Sequence, residues 1–103
     1  MQIFNIKKIK SFPFEEREKN VFFKTREFKT RIIKLSSREQ IKSCKMDSYV
    51  IFYVIEGSAK IMVDNELSEI KEGDCLISEP ATLSLRTENG VKILGIQVEK
   101  QSK

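Results

Sequence analysis

The feature that most constrains the fold of this chain is a seven-residue run, Tyr49–Ile55, in which every side chain is apolar or aromatic. Seven residues is a strand length, too short for a buried helix or a membrane span. Glu56-Gly57 ends the run, Ser58–Val63 resumes as a strand, and Asp64-Asn65 is a two-residue turn signal before the weaker alternation of Glu66–Lys71. A continuously apolar strand followed by closely spaced hairpins predicts an antiparallel barrel or sandwich.

The rest of the chain continues this pattern of short strands. Asn89-Gly90, between two strand-like segments, is the strongest hairpin signal, and Ser11 followed by acidic residues predicts the N-terminus of a short helix. Gly95 lies inside the last strand and indicates a bulge or a close backbone approach. Further strands are predicted at Gln2–Lys8 (an edge strand), Arg26–Leu35, Gln40–Cys44, Cys75–Ser78, Thr82–Thr87 and Val91–Val98. With about nine or ten strands and at most one short N-terminal helix, the chain is predicted to be an all-β, antiparallel jelly-roll barrel.

Length and composition predict one soluble domain. A chain of 103 residues with 40% hydrophobic and 33% charged residues is expected to build a single core. We expect residues 28–98 to form the barrel, residues 1–27 to pack on it as a strand and a short helix, and residues 99–103 to form a polar tail. The N-terminal sequence lacks the apolar segment of a signal peptide, no run reaches transmembrane length, and two cysteines are too few for a disulfide scaffold. These features predict a cytoplasmic protein with reduced thiols and no membrane partner.

The charge is unevenly distributed along the chain. Residues 1–48 carry 13 Lys/Arg against 6 Asp/Glu, whereas residues 49–103 carry 6 against 9. A basic half is compatible with nucleic-acid binding, but no helix-turn-helix pattern, glycine-rich loop or exposed-aromatic signature accompanies it. We interpret these cations as the solvated faces of strands and predict no nucleic-acid partner.

One stretch carries a more specific signal. In YVIEGSAKIMVDNELSEIKEGDCLISEPATLSL, residues 53–85, a corner at Tyr53–Gly57 precedes a hairpin, a second corner at Gly73-Asp74 follows it, and Pro80 marks a turn before the closing strand. This arrangement resembles the small single-domain cupins over residues 28–98, the bulk of the chain. The resemblance implies a jelly-roll barrel whose interior holds the functional site.

The same resemblance implies a metal site that this sequence does not supply. Cupins usually hold a metal with two histidines and a glutamate from the first motif and one histidine from the second. This chain contains no histidine. The corresponding positions hold Ile51 for the glutamate, Lys45 and Asp47 (or Cys44 and Met46 with a loop one residue longer) for the first two histidines, and Ser84 for the last. We therefore predict no metal and no cofactor.

A metal held by unusual ligands is an alternative. Cys44, Asp47, Cys75 and Glu79 are the plausible soft and hard donors near these positions, but they lack any recognised ligand spacing. A free cysteine is more commonly just a small hydrophobic residue. This alternative predicts a metal-dependent cupin enzyme with non-standard ligands.

The candidate ligand-binding residues are those that the resemblance places inside the barrel. Tyr53 and Ser84 would supply hydroxyl groups, and Arg86 would supply a fork that binds two oxygens of a carboxylate or phosphate. The competing interpretation is structural, with isoleucines filling the core, Tyr53 satisfying a backbone group and Arg86 paired with an acidic neighbour. The full set of candidates is Lys45, Asp47, Ile51, Tyr53, Thr82, Ser84 and Arg86, with Ile55 beside them.

The run Tyr49–Ile55 also predicts an association surface. Its alternate residues Val50, Phe52 and Val54 are as apolar as the face predicted to line the interior, so this second face needs a cover. The N-terminal segment or a second subunit would provide one. We predict a homodimer, with the N-terminal strand crossing over as one form of it.

These observations favour a metal-free module that binds or senses a small molecule, with a sugar, carboxylate or phosphate as the candidate class. The first alternative is a metal-independent isomerase or epimerase acting on a sugar or organic acid, with Tyr53 as acid/base and Asp47 or Glu79 as its partner. The second is the metal-dependent enzyme with unusual ligands. Whether the protein is an enzyme stays open at this stage, with binding favoured.

Overall fold

In the computed structural model, which describes residues 1–100, the apolar run and the segment after it form one strand of 15 residues. The chain has one short 3₁₀ segment followed by eight strands. The 3₁₀ segment is Phe14–Asn20, and the strands are β1 Val21–Lys24, β2 Phe28–Leu35, β3 Gln40–Met46, β4 Tyr49–Val63, β5 Glu66–Lys71, β6 Cys75–Ser78, β7 Ala81–Arg86 and β8 Val91–Val98.

The long strand β4 belongs to two sheets and joins them. Its N-terminal part pairs with β8 and β6, and its C-terminal part pairs with β5 and β7. The first sheet has the order β1-β2-β8-β4-β6, and the second has the order β5-β4-β7-β3. The pairing between neighbours is antiparallel throughout the described chain, so the prediction of an all-β antiparallel barrel is confirmed.

A bulge in β4 lets one strand serve both sheets. The register with β8 shifts between Val54 and Glu56, and Gly57 then adopts a positive φ of 81°. Before the bulge the buried positions are even-numbered, as at Val54, and after it they are odd-numbered, as at Ala59 and Ile61. The sequence predicted two strands separated at Glu56-Gly57. The structure replaces that break with a bend, which is the usual effect of a bulge.

The core lies between the two sheets. It consists of apolar side chains that alternate along the strands and that are nearly inaccessible to solvent: Leu35, Val54, Ala59, Ile61, Ile70, Leu85, Val91 and Ile93. In the first sheet, Ile33 lies opposite Ile93, and Ile93 lies opposite Val54. Since all three belong to one face, this register identifies the inward face of each strand.

The N-terminal segment differs from its prediction. Gln2–Lys8 forms no strand, because the side chain of Asn5 accepts hydrogen bonds from the backbone N–H groups of Lys7 and Lys8 and holds a turn. The edge strand of the first sheet is instead β1. The helical segment begins after Pro13 rather than at Ser11, and no side chain caps it.

Asn20 holds the segment that precedes β1 in place through its hydrogen bonds to Phe12. It is buried, its Oδ1 accepts from the backbone N–H of Phe12 at 2.7 Å, and its Nδ2 donates to the Phe12 carbonyl at 3.0 Å. This pair of hydrogen bonds closes the loop that contains Phe14, whose side chain packs against the core. At the other end of the fold, the Glu99 N–H donates to the Glu27 carbonyl at 2.8 Å, and the last three residues of the predicted tail, 101–103, lie outside the described residues.

The outer face of the first sheet carries an apolar patch beside two lysines, Lys34 and Lys92, that lie opposite each other. Tyr53 lies opposite Leu94, which lies opposite Ile32, and Ile51 lies opposite Ile77 on β6. Ile77 is 72% exposed. At the far edge, the ring of Phe23 stacks on Phe28 with centroids 5.8 Å apart. Within residues 1–100, no helix is long and apolar enough to cross a membrane.

Candidate functional site

A cavity of about 300 Å³ lies between the two sheets and is partly open to solvent. Most of its wall is apolar and comes from strands of both sheets and from the 3₁₀ segment. The apolar lining consists of Phe14, Ile32, Ile33, Ile41, Met46, Phe52, Ile61, Leu83, Leu85 and Gly95. An apolar wall of this extent suits the hydrocarbon part of a small organic molecule.

The polar residues of the cavity are mostly cations and their hydrogen-bond partners. Arg17, Lys29, Arg31 and Lys34 line it together with Gln97. Arg31 Nη2 donates to Gln97 Oε1 at 3.1 Å, which fixes one side of the guanidinium. Arg17 Nη1 donates to the carbonyl of Phe14 at 3.2 Å, and the guanidinium lies over the Phe14 ring with its carbon 4.5 Å from the centroid.

The alternation of β2 explains how the cations reach the cavity. Lys29, Arg31, Ile33 and Leu35 are two residues apart and therefore share one face of the strand. Leu35 belongs to the buried core and Ile33 lines the cavity. The inward face of β2 therefore carries apolar residues at its C-terminal end and the cations Lys29 and Arg31 at its N-terminal end. The long stems of Lys29 and Arg31 add apolar surface while their heads stay near solvent.

The four cations at the cavity have no carboxylate partner at ion-pair distance. In the described part of the chain, the one ion pair joins Lys19 to Glu16, at 2.7 Å. Burial lowers the pKa of Lys29, and the positive charges of Arg31 and Lys24 lower it further. Negative charges on Glu18 and Glu99 act in the opposite direction without cancelling the shift. The cavity mouth is therefore a positively charged environment, which favours an anion.

The sequence did not single out these residues. It predicted a half-buried strand at Arg26–Leu35 but interpreted its cations as solvated. The sequence does contain one indication, because Lys29 and Arg31 alternate in step with Ile33 and Leu35 and so share a face with them. This indication identifies cavity residues only when it is known which face of the strand turns inward.

The predicted interior residues of β4 lie on the opposite face. Tyr53 is 43% exposed on the outer face of the first sheet, and Ile51 is on the same face, half-buried. Ile55 lies in the bulge. The inward residues are instead Val50, Phe52 and Val54, so the predicted assignment of the two faces was wrong. The run is apolar on both faces, and hydrophobicity alone could not orient it.

The predicted interior residues of β7 are also displaced from the interior. Leu83 and Leu85 are buried, whereas Thr82 and Arg86 are exposed and Ser84 is half-buried. The leucines occupy the inward face because their burial contributes more free energy than burial of hydroxyls would. Ser84 and Arg86 come together in a groove on the outer face of the second sheet.

Lys45 and Asp47 are exposed and do not line the cavity. Lys45 lies opposite Thr82 in the pairing of β3 with β7, and Asp47 follows the end of β3. Of the seven predicted residues, Ser84 alone belongs to the cavity lining. The structure therefore does not gather the predicted set into one site.

The residues around the cavity do not fit the metal that the cupin resemblance implies. The wall is apolar and its charged residues are cations, which repel a divalent ion rather than coordinate it. Among residues 1–100, no three side chains of Cys, Asp or Glu converge closely enough to hold a metal. Cys44 lines the cavity, while Cys75 lies opposite Tyr53 on the first sheet, and both thiols are free. No chemical step through a metal is derived from this site.

Comparison with known proteins identifies the fold through structures and not through sequences. No protein-family model matches the chain, and no curated protein matches it. A solved structure from Thermus thermophilus superposes on 98% of this chain and 100% of its own, with a TM-score of 0.84 and 18% identity.

Two further structures are cupins by their descriptions. A cupin superfamily protein from Desulfitobacterium hafniense matches 78% of this chain and 74% of its own, with a TM-score of 0.73 and 12% identity. An RmlC-like cupin family protein with a double-stranded β-helix fold, from Methanocaldococcus jannaschii, matches 78% of this chain and 77% of its own, with a TM-score of 0.70 and 17% identity. The chain has the cupin fold, as the sequence resemblance predicted. At these identities the likeness extends to the fold alone.

Proposed function

We propose that this protein is a metal-free cupin-fold module that binds a small amphipathic organic anion in the cavity between its sheets. The observation that carries the proposal is the combination of an apolar wall with four cations that have no carboxylate partner within the described residues. The anionic group of the ligand binds Arg17, Lys29 and Arg31. The hydrocarbon part lies against Phe52, Ile61 and the other apolar side chains.

The dimensions of the cavity support a small ligand. A volume of about 300 Å³ is at the lower end of the range for small-molecule sites. A carboxylate with a short alkyl or aromatic group fits such a volume, and a carboxylate or phosphate group suits a guanidinium that can donate two parallel hydrogen bonds. The Gln97 side chain holds Arg31 in place, which reduces the entropy lost on binding.

Binding is favoured over acid/base catalysis by the chemistry of the lining. The isomerase alternative requires Tyr53 inside the barrel with Asp47 or Glu79 as partner, and Tyr53 is on the outer face of the first sheet. The ionisable lining residues, apart from the Cys44 thiol, are cations. General acid/base catalysis near neutral pH needs a group of intermediate pKa close to the reacting atom, and this lining offers binding groups instead.

Calorimetric titration with octanoate tests the proposal, and octanol is the neutral control. We expect octanoate to bind and octanol of equal chain length to bind at least tenfold more weakly, because it lacks the charge that Arg31 and Lys29 recognise. Arg31→Gln is expected to weaken octanoate binding about tenfold. Lys71→Gln, which removes an exposed cation that does not line the cavity, should leave the affinity unchanged.

Two outcomes would count against the proposal. Equal affinities for octanoate and octanol would mean that the cations play no part in recognition. An Arg31→Gln variant that is folded and binds octanoate as tightly as the unmodified protein would move the binding site away from the cavity.

A further inference from the structure

The outer face of the second sheet carries a separate cationic groove of about 450 Å³. Lys42, Lys60 and Arg86 line it, and none of these three belongs to the lining of the interior cavity. The remaining lining residues include Ser84 and the exposed apolar side chains of Met62 and Leu67. Strands β3, β7, β4 and β5 thus each contribute a side chain to one shallow concavity.

The strand register places two of these cations directly opposite each other. Lys60 on β4 pairs with Arg86 on β7, and Met62 pairs with Ser84 two residues further along the same face. Side chains of directly opposed residues in an antiparallel pair are close neighbours, and like charges there destabilise the sheet. An anion bound between Lys60 and Arg86 would remove this repulsion.

Glu69 is the acidic residue that the strand register places beside a cation of the groove. Glu69 on β5 lies opposite Lys60 on the side away from Arg86. It forms no ion pair with Lys60, since the one ion pair of residues 1–100 is between Lys19 and Glu16. Glu69 therefore reduces the positive potential at Lys60 without occupying the position between Lys60 and Arg86.

We propose that this groove binds a phosphate group, free or as the head of a small phosphate monoester. Arg86 donates its paired N–H groups to two phosphate oxygens, and Lys60 and Lys42 supply the balancing charge. The Ser84 hydroxyl donates a further hydrogen bond. Met62 and Leu67 offer apolar surface to the organic part of an ester, which distinguishes the groove from a simple cluster of lysines.

The groove favours a small anion over a polyanion. Its three cations line a single concavity instead of following a stripe across the sheet. A nucleic-acid strand needs a charged path that follows its backbone, and Glu69 interrupts such a path at β5. The two proposed anion sites use different cations: those of the cavity lie on β2 and the 3₁₀ segment, and those of the groove lie on β3, β4 and β7.

Backbone amide NMR titration with sodium phosphate and with phenyl phosphate tests the inference, with sodium chloride at matched ionic strength as control. We expect saturable shifts confined to residues of β3, β4 and β7 around the groove.

Arg86→Gln and Lys60→Gln should each weaken phosphate binding about tenfold, whereas Lys71→Gln, outside the groove, should not change it. Glu69→Gln should strengthen binding severalfold because it removes the competing negative charge. Phenyl phosphate that binds more tightly than inorganic phosphate would identify a monoester site, and equal affinities would identify free phosphate.

Several results would overturn the inference. Shifts reproduced by chloride would indicate an ionic-strength effect and no site. Phosphate shifts centred on Arg17, Lys29 and Arg31 would place the anion at the interior cavity, which would leave the proposed function standing and remove the outer site. Binding of a single-stranded oligonucleotide without saturable phosphate binding would identify a polyanion surface instead. The amide spectrum of each variant shows directly whether it is folded, so a loss of binding cannot be confused with unfolding.

Discussion

Gly57 lies directly against the backbone of Gly90, where the bend of β4 meets the turn before β8. The Ser58 N–H donates to the Gly90 carbonyl at 3.4 Å, and a Cβ added at Gly57 would lie 2.9 Å from the Cα of Val91. Gly57 also has a φ of 81°, a conformation that other residues adopt at a cost. The corner of the barrel therefore depends on the absence of a side chain.

Gly57→Ala should be strongly destabilising. We expect the free energy of unfolding to fall by more than about 3 kcal/mol, because the positive φ and the collision with backbone atoms both oppose the new Cβ. Gly73→Ala is the matched control, with a φ of 90° and no atom within 4 Å of the added Cβ. It should cost about 1 kcal/mol. Urea unfolding of both variants measures the difference, and equal losses would mean that the close approach to Gly90 contributes nothing.

The Thr87 hydroxyl stabilises the same corner. Thr87 is buried, its Oγ1 donates to the Ser58 carbonyl at 2.7 Å, and it accepts from the Gly90 N–H at 2.9 Å. Thr87→Val keeps the volume but removes both hydrogen bonds, so we expect a loss of about 2 kcal/mol in unfolding free energy. Thr87→Ser keeps the hydroxyl and should lose less than about 1 kcal/mol. A valine variant as stable as the serine variant would contradict this account.

The sequence predicted the turns of this fold better than the faces of its strands. Gly57, the Gly73-Asp74 corner and Asn89-Gly90 all mark bends in the structure, because turn chemistry depends on a few local residues. The orientation of Tyr49–Ile55 was predicted in reverse. Both of its faces are apolar, and the bulge that changes the buried positions from even to odd leaves no clear signal in sequence.

The candidate site shows the same limit. Arg86 and Ser84 were chosen as polar residues on a strand predicted to face inward, and the structure places them in the outer groove. Lys29 and Arg31 were interpreted as solvated, although their alternation with Ile33 brings them to the cavity. A cation at an alternating position is exposed on most strands, so its role at a cavity mouth becomes clear only when the partner strands are known.

Gly95 packs closely against two residues of the cavity lining. A Cβ there would lie 3.2 Å from Ile33 Cδ1 and 3.4 Å from Phe52 Cε1, both on cavity-lining residues. Gly95→Val should fill part of the cavity and weaken octanoate binding at least tenfold, with a loss of about 1–3 kcal/mol in stability from overpacking. Calorimetry and thermal unfolding measure the two effects. Unchanged octanoate affinity in a folded variant would show that the ligand binds elsewhere.

The pKa of Lys29 should report on Arg31. Burial lowers the Lys29 pKa below the ordinary lysine value of 10.5, and the Arg31 charge is the second cause. Because the folded-state pKa is lower than the unfolded-state pKa, the charged amine destabilises the fold at neutral pH. This penalty disappears as the pH rises from the folded pKa towards 10.5, where the unfolded state binds more protons.

Arg31→Gln should therefore raise the pKa of Lys29 towards its ordinary value without restoring it, because burial remains. NMR titration of the Lys29 side chain measures the change directly, and bound octanoate should also raise this pKa by adding a negative charge. Lys71→Gln is the control, because Lys71 is not among the charges that shift the Lys29 pKa. A Lys29 pKa that does not change in Arg31→Gln would contradict the electrostatic coupling at the cavity mouth.

The homodimer expected from the sequence remains a prediction. The exposed apolar side chains that could form its interface lie on a different face of β4 from the one predicted. Val50 and Val54, on the face expected to need a cover, are buried in the interior, and the apolar outer face of the first sheet carries Tyr53, Ile51 and Ile77 instead. A second copy is the occupant we expect. A two-fold axis brings the same patch of each subunit together, and the apolar side chains of this patch need no complementary charge.

Ile77→Glu should weaken such a dimer at least tenfold, because Ile77 is 72% exposed in the single chain and a glutamate there would have to lose its water on association. Leu67→Glu is the matched control, since Leu67 is 54% exposed but lies on the second sheet. Sedimentation velocity across a range of protein concentrations measures both variants. A monomeric unmodified protein at micromolar concentration would contradict the prediction, and dissociation by Leu67→Glu instead of Ile77→Glu would place the interface on the second sheet.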